Sequence, residues 1–184
     1  ESGSGKSTFL KSLIGSIPVK NQSLKFQLEN GKLLDSSELE KISHQISYIG
    51  QKTSLFQLSL KENISLQNSI TDSEFQVLCK QVGLEKWVDQ STEFDSILST
   101  ASGGEKRRID LARLLFFDRE ILLFDEPTAG LDSQNRLKVE EVVKQLENKL
   151  IVYSTHQYDE EFMQQFDYCL EIKDGSIMMR EINL

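Results

Sequence analysis

Apolar and polar residues recur with two different periods along the chain, and the switches between them predict its elements. Thr8-Phe9-Leu10-Lys11-Ser12-Leu13-Ile14 has helical apolar spacing and ends at Gly15, so a helix is expected from Lys6. In 23–28, Leu24, Phe26 and Leu28 oppose Lys25 and Gln27, the alternation of a half-buried strand, and Asn30-Gly31 makes its turn. Asp35-Ser36-Ser37-Glu38 reads as a helix start leading into Leu39 and Ile42. Ile46-Ser47-Tyr48-Ile49 reads as a short strand that stops at Gly50-Gln51.

From 60 to 90 the pattern is helical. Thr71-Asp72-Ser73-Glu74 resembles a helix cap with an acidic first turn, Phe75, Leu78, Cys79 and Val82 form one apolar stripe, and Gly83 is a stop. A second long helix is expected near Gly103 or Gly104, carrying Ile109, Leu111, Ala112, Leu114 and Leu115. The remaining pattern predicts a strand at 121–124, a helix at 137–146, a strand at 150–153, a helix after Thr155 and a strand at 167–172. The turn Asp174-Gly175 then leads to a last strand at 177–180. Strands alternating with helices argue for an α/β domain with a mostly parallel sheet, interrupted by a helical insertion.

The chain has 184 residues, enough for one domain with an inserted subdomain. Its net charge of −8, from 21 basic and 29 acidic residues, argues against a nucleic-acid footprint. Cys79 and Cys169 lie far apart and outside any metal-ligand spacing, which fits a reducing compartment with idle thiols. The strongest apolar run, Ile121-Leu122-Leu123-Phe124, has the length of a buried strand rather than of a membrane span.

Three segments carry chemistry. Gly3-Ser4-Gly5-Lys6-Ser7-Thr8 matches the second half of the phosphate-binding pattern G-x-x-x-x-G-K-[ST], whose first glycine would fall one place before residue 1. Glycines let successive N–H groups face phosphates, Lys6 supplies a cation to the β/γ oxygens, and the Ser7 hydroxyl suits Mg²⁺. Asp125-Glu126 closes an apolar strand with two acids, which an unpaired buried edge would not favour. A triphosphate site accounts for both, Asp125 in the Mg²⁺ shell and Glu126 on the attacking water. Ser102-Gly103-Gly104-Glu105 opens a helix and offers bare N–H groups to an anion; alone, its default reading is a flexible loop before a capped helix.

Together and in this order, the segments resemble the ATP-binding cassette family, the nucleotide-binding domains of ABC transporters, over the whole length from residue 1 to Arg180. The resemblance implies a P-loop NTPase-type fold, one ATP-binding domain over 1–184, with 60–118 as a helical and signature subdomain on a RecA-like core. It implies that Gly3, Ser4, Gly5, Lys6, Ser7 and Thr8 form the Walker A loop and that Ser102, Gly103, Gly104 and Glu105 form the signature motif. Asp125 and Glu126 correspond to the Walker B aspartate and the catalytic glutamate. Gln51 looks like the Q-loop glutamine that senses Mg²⁺ and the γ-phosphate. Ala129-Gly130-Leu131-Asp132 resembles the D-loop, and His156 the H-loop histidine. His44 matches no such role and is expected at the surface.

The family resemblance also implies an ATPase using ATP and Mg²⁺. Two such domains, in a homo- or heterodimer, close on ATP at the cytoplasmic face of a membrane. A transmembrane domain, upstream on the same chain or separate, is the other expected partner, and no nucleic acid is. Gln51-Lys52-Thr53-Ser54-Leu55-Phe56 and Glu62-Asn63-Ile64 look exporter-like, whereas Asp125-Glu126-Pro127-Thr128 has a proline common in importer and tandem-type subunits. A soluble, non-transport cassette ATPase and an importer subunit are the alternatives. Ala101 stands where leucine is usual, Glu105 where glutamine is, and 95–102 is shorter than in typical exporters. The strand feeding the loop and the aromatic that stacks on adenine would lie before residue 1. The chain as written is therefore expected to be a fragment with its N-terminal strands missing and an incomplete nucleotide site.

Overall fold

The computed structural model describes residues 3–19, 25–27, 31, 33–35, 38, 41–88, 101–157, 159–173 and 175–182. Its centre is a parallel sheet of three strands in the order β3-β4-β5: β3 (Ile46–Ile49), β4 (Ile121–Asp125) and β5 (Leu150–Ser154). The register sets Ile121 between Ile46 and Leu150, and it ends with Asp125 beside Ser154. β4 is covered on both faces, which is why it reads as an unbroken apolar run rather than an alternating one. The expected α/β architecture, a parallel sheet with flanking helices, is present.

The other described strands form two antiparallel hairpins: β1 (Lys25–Gln27) with β2 (Leu33–Asp35), and β6 (Tyr168–Lys173) with β7 (Ser176–Glu181). Gly175, at φ 74°, supplies the left-handed residue the tight turn between β6 and β7 needs. The helix expected from 35–38 into Leu39 and Ile42 falls partly outside the described residues. Asp35 ends β2, and beyond it the described residues Glu38, Lys41 and Ser43–Gln45 lie in short 3₁₀ turns. Asp35 and Glu38 make a cap-like contact, Asp35 N–H to Glu38 Oε2. Leu24, Leu28, Asn30, Ser36, Ser37, Leu39, Asp174 and the short stretch 95–100 lie outside the described residues.

Helix α1 (Lys6–Leu13) leaves the glycine loop and packs on β4. α2 (Leu60–Ser65), α3 (Asp72–Gln81) and a 3₁₀ turn (Glu85–Trp87) fill the stretch expected to be helical, and α4 (Gly103–Phe117) comes next. All three helices open with a complete capping box, Ser59 with Glu62, Thr71 with Glu74, and Ser102 with Glu105. α5 (Ser133–Lys144) starts four residues earlier than the apolar pattern indicates, because Asp132 caps it. α6 (Glu160–Met163) is a single turn after Thr155. One continuous core runs from Ile49 through Ile64, Phe75 and Leu111 to Phe124, Val139 and Phe162, so 60–118 and the sheet share their buried face. Both cysteines are free thiols, Cys79 buried and Cys169 half-buried, and His44 is exposed.

Candidate phosphate and metal site

The C-terminal ends of β3, β4 and β5 and the start of α1 meet at one place. There the parallel register and the glycine loop bring polar groups together from four segments. Gly3 and Gly5 take φ of 86° and 101°, the left-handed region where an L side chain is strained. Gly5 is the N-cap of α1 and makes no side-chain cap bond, and a helix N-terminus of this kind suits an anion.

Asp125 is the hub. It is 1% exposed, and its carboxylate accepts three hydroxyl donors. Ser7 Oγ (2.9 Å) and Ser154 Oγ (3.2 Å) donate to Oδ1, and Tyr48 Oη (3.0 Å) donates to Oδ2. The three bonds offset the cost of burying the carboxylate. Burial, and then the bond to Asp125, push the Tyr48 phenol up to about 12, so it stays a donor across the working pH range. Gln51 Nε2 donates to Ser7 Oγ at 3.3 Å.

Glu126 comes directly after the strand in a left-handed conformation at φ 50°, uncommon for a non-glycine residue. Its N–H donates to Ser154 at both the carbonyl oxygen and Oγ, each at 3.1 Å. Its Oε1 lies 3.8 Å from Lys6 Nζ and 3.4 Å from His156 Nδ1. Lys6 Nζ also donates to Ser4 Oγ at 3.3 Å. Lys6, Ser7, Gln51, Asp125, Glu126 and His156, each singled out in the sequence, thus form one cluster, and Thr8 stands exposed on the next helical position.

The groups around Ser102 are organised separately. Ser102 Oγ accepts the Glu105 N–H (3.2 Å), and Glu105 Oε2 accepts the Ser102 N–H (2.8 Å). Glu105 Oε1 also accepts from Trp87 Nε1 at 3.0 Å and pairs with Lys86 Nζ at 2.5 Å. Burial raises this carboxyl, but the bonds from Lys86, Ser102 and Trp87 outweigh it and hold the group at about 2. Its carboxylate is therefore committed within the chain, while Ser102 and Gly103 are exposed. Gly104 is there for a close approach: an added Cβ would lie 2.7 Å from Asn135 Cγ on α5. Asn135 bonds in turn to Arg108 and to Asp132, whose carboxylate accepts the Asn135 N–H (2.9 Å) and Nδ2 (2.6 Å). These bonds hold the Asp132 carboxyl below its ordinary range.

Sequence reasoning does not single out Tyr48 and Ser154, nor the set Arg107, Asp110 and Arg113 that holds residues 50–54 to α4. A signal for Ser154 exists, since both neighbouring strands change from apolar to polar at paired positions, Asp125 and Ser154. Tyr48 reads as one more apolar strand position, and nothing in its spacing announces the hydrogen bond.

The donor set suits a magnesium-bound phosphate. Ser7, Gln51 and Asp125 present a hydroxyl, an amide and a carboxylate, hard oxygen ligands of the kind Mg²⁺ takes beside phosphate and water. Among the described residues no group of three or more His, Cys, Asp or Glu could hold a metal by itself, so phosphate and water would have to complete the shell. No helix among the described residues is long and apolar enough to cross a membrane.

The family model described as ABC transporter matches residues 1–129. The chain is 31% identical to the glutathione/L-cysteine transport system ATP-binding/permease protein CydC of Haemophilus influenzae, over 97% of this chain and 31% of that protein. It is 35% identical to the corresponding protein CydD of Bacillus subtilis, over 84% of this chain and 28% of that protein. The chain thus spans about a third of the length of the curated relatives it matches. Among solved structures, it is similar to the dimeric ATP-binding cassette MJ0796 in a post-hydrolysis state bound to ADP and Pi. That match has a TM-score of 0.77 and 25% identity, and covers 100% of this chain and 83% of the other.

Proposed function

The chain belongs to the ABC transporter family, and we propose that it is the ATP-binding and ATP-hydrolysing domain of an exporter, working at the cytoplasmic face of a membrane. The observation that carries this reading is the cluster itself: Lys6, Ser7, Gln51, Asp125, Glu126 and His156 meet at the mouth of a glycine loop that opens a helix. Lone carboxylates, amides and imidazoles have many structural uses, but this combination suits phosphoryl transfer to water.

In the proposed mechanism the backbone N–H groups of residues 3–8 hold the phosphates, and Lys6 leaves Glu126 to pair with the β/γ oxygens. Ser7, Gln51 and Asp125 would hold Mg²⁺, which when bound would supply charge neutralisation for those oxygens. Tyr48 and Ser154 keep the Asp125 carboxylate oriented. Glu126 takes a proton from a water molecule, whose oxygen bonds to the γ-phosphorus as the bond to the β–γ bridging oxygen breaks and ADP leaves. His156 braces Glu126 and contacts the γ-phosphate. Ser102, Gly103, Gly104, Glu105 and Asp132 serve a second nucleotide-binding domain: the exposed N-terminus of α4 meets the partner's γ-phosphate, and Glu105 contributes by fixing that turn. Residues 60–118 act as the helical unit and the rest as the RecA-like core, and a transmembrane domain, fused or separate, is the element driven. The dimeric relative bound to ADP and Pi and the relatives named as ATP-binding/permease proteins support this reading.

The test is ATP turnover by the full-length protein with and without Glu126→Gln. The variant is expected to lose about 10²- to 10⁴-fold in kcat, the scale of general-base catalysis, and to keep ATP affinity. Equal turnover in the two proteins, or a wild type that binds no ATP, would sink the proposal.

A further inference from the structure

Where β3 ends, two consecutive carbonyl oxygens are held by one buried guanidinium. Arg107 of α4 donates from Nη1 to the Gly50 oxygen at 2.6 Å and from Nη2 to the Gln51 oxygen at 2.7 Å. Its side chain is 5% exposed, and Asp110 lies 3.4 Å from Nη1. The same face of α4 binds the next residues of the chain. Asp110 accepts from the Thr53 hydroxyl, and Arg113 donates to the Ser54 oxygen at 2.7 Å and to the Asn63 oxygen at 2.6 Å. Residues 107, 110 and 113 recur at helical spacing, so a single stripe of α4 holds 50–54.

The other side of Gly50 is closed as well. An added Cβ there would lie 3.1 Å from Cε1 of the Tyr48 ring, the ring whose hydroxyl binds Asp125. Gly50 is thus confined between the Tyr48 ring and the Arg107 fork. The exposed Gln51 side chain continues from this anchored backbone to Ser7 Oγ. A planar guanidinium can hold two carbonyls at once in this way, which a lysine ammonium cannot reproduce with the same geometry.

We propose that Arg107 is a positioning residue that acts through Gln51. It sets the Gln51 amide against Ser7 and ties that placement to α4, whose first turn carries Ser102 and Gly103. The inference rests on the phosphate-site reading above and adds to it a residue that touches neither nucleotide nor metal.

The test is a double-mutant cycle in the full-length protein, Arg107→Met against Gln51→Ala. Two quantities are measured: kcat for ATP, and Mn²⁺ affinity with a non-hydrolysable ATP analogue, read by electron paramagnetic resonance. Arg107→Met is expected to lower kcat and Mn²⁺ affinity about 10- to 100-fold, the usual cost of losing an outer-shell partner, with unaltered affinity for the metal-free analogue. The double variant is expected to be no worse than Gln51→Ala, since the two residues act in series. Losses that multiply, or an Arg107→Met protein equal to wild type in both quantities, would overturn the proposal. Arg107→Lys, which keeps the charge and loses the fork, is expected to fall between, and it decides the same cycle if the methionine variant does not fold. A wild type without turnover would count against the hydrolysis reading alone, because the Mn²⁺ arm still decides the role of Arg107.

Discussion

The cluster around Asp125 and the first turn of α4 are both made of a carboxylate and small hydroxyl residues, yet they are held in opposite ways. Around Asp125 the bonds join Ser7, Tyr48 and Ser154, residues 118, 77 and 29 positions away along the chain. At α4 the central bonds join Ser102 and Glu105, three positions apart. The first arrangement exists only when β3, β4, β5 and α1 are assembled. The second forms with the helix itself and is then fastened by Trp87, Lys86 and Asn135. A site whose parts are far apart in sequence exists only in the assembled fold. A site whose parts are local spends its side chains on its own shape and leaves Ser102 and Gly103 exposed, which under the proposed function offers them to a second domain.

Substitutions at α4 sharpen this contrast. The largest stability effect is expected at Gly104→Ala, whose methyl would press on Asn135, costing about 1–3 kcal/mol as overpacking does. Gly103→Ala, with nothing within 4 Å of the added carbon, is expected to stay within about 0.5 kcal/mol of wild type in the same urea titration. Similar losses for the two would show that α4 and α5 do not depend on a close approach at Gly104.

A smaller effect is expected from Glu105→Gln, and it has a pH signature. The Glu105 carboxyl is held at about 2 against an ordinary 4.5. A lowered folded-state value contributes stability that is fully present above pH 4.5 and is lost as pH falls toward 2. The gap in thermal midpoint between wild type and variant is therefore expected to be constant near neutrality and to close through that acid window. A gap independent of pH would mean that the carboxylate charge does not fasten the turn. A modest loss is expected from Ser102→Ala, about 1 kcal/mol, the usual cost of losing an N-cap hydroxyl. Under the proposed function this variant loses turnover out of proportion to its stability, because Ser102 is offered to the partner domain. A turnover loss no larger than that of Thr71→Ala, the same cap on α3, would remove that assignment.

Much of the molecule is legible in the order of its residues. β4 is visible as an apolar run closed by acids, α3 as a capped apolar stripe, and the glycine loop as a motif whose spacing has few other uses. Each of these signals is local. After Asp35 the described residues Glu38, Lys41 and Ser43–Gln45 lie in 3₁₀ turns, and a cap-like contact such as that of Asp35 with Glu38 suits a short turn as well as a long helix. The apolar pattern puts the start of α5 at Leu137, its first apolar anchor, whereas the polar turn at 132–135 is set by the Asp132 cap.

The sequence by itself determined which chemical groups are present and in what order, since cap, strand and phosphate-loop signals depend on neighbours a few residues apart. Tertiary structure alone decided which groups touch. It placed Tyr48 and Ser154 on Asp125, turned Glu105 inward to Trp87 and Lys86, and put the Arg107 fork on the backbone of Gly50 and Gln51. The reason is physical: burying a carboxylate or a guanidinium requires partners, and the residues near enough to serve are chosen by sheet register and helix packing.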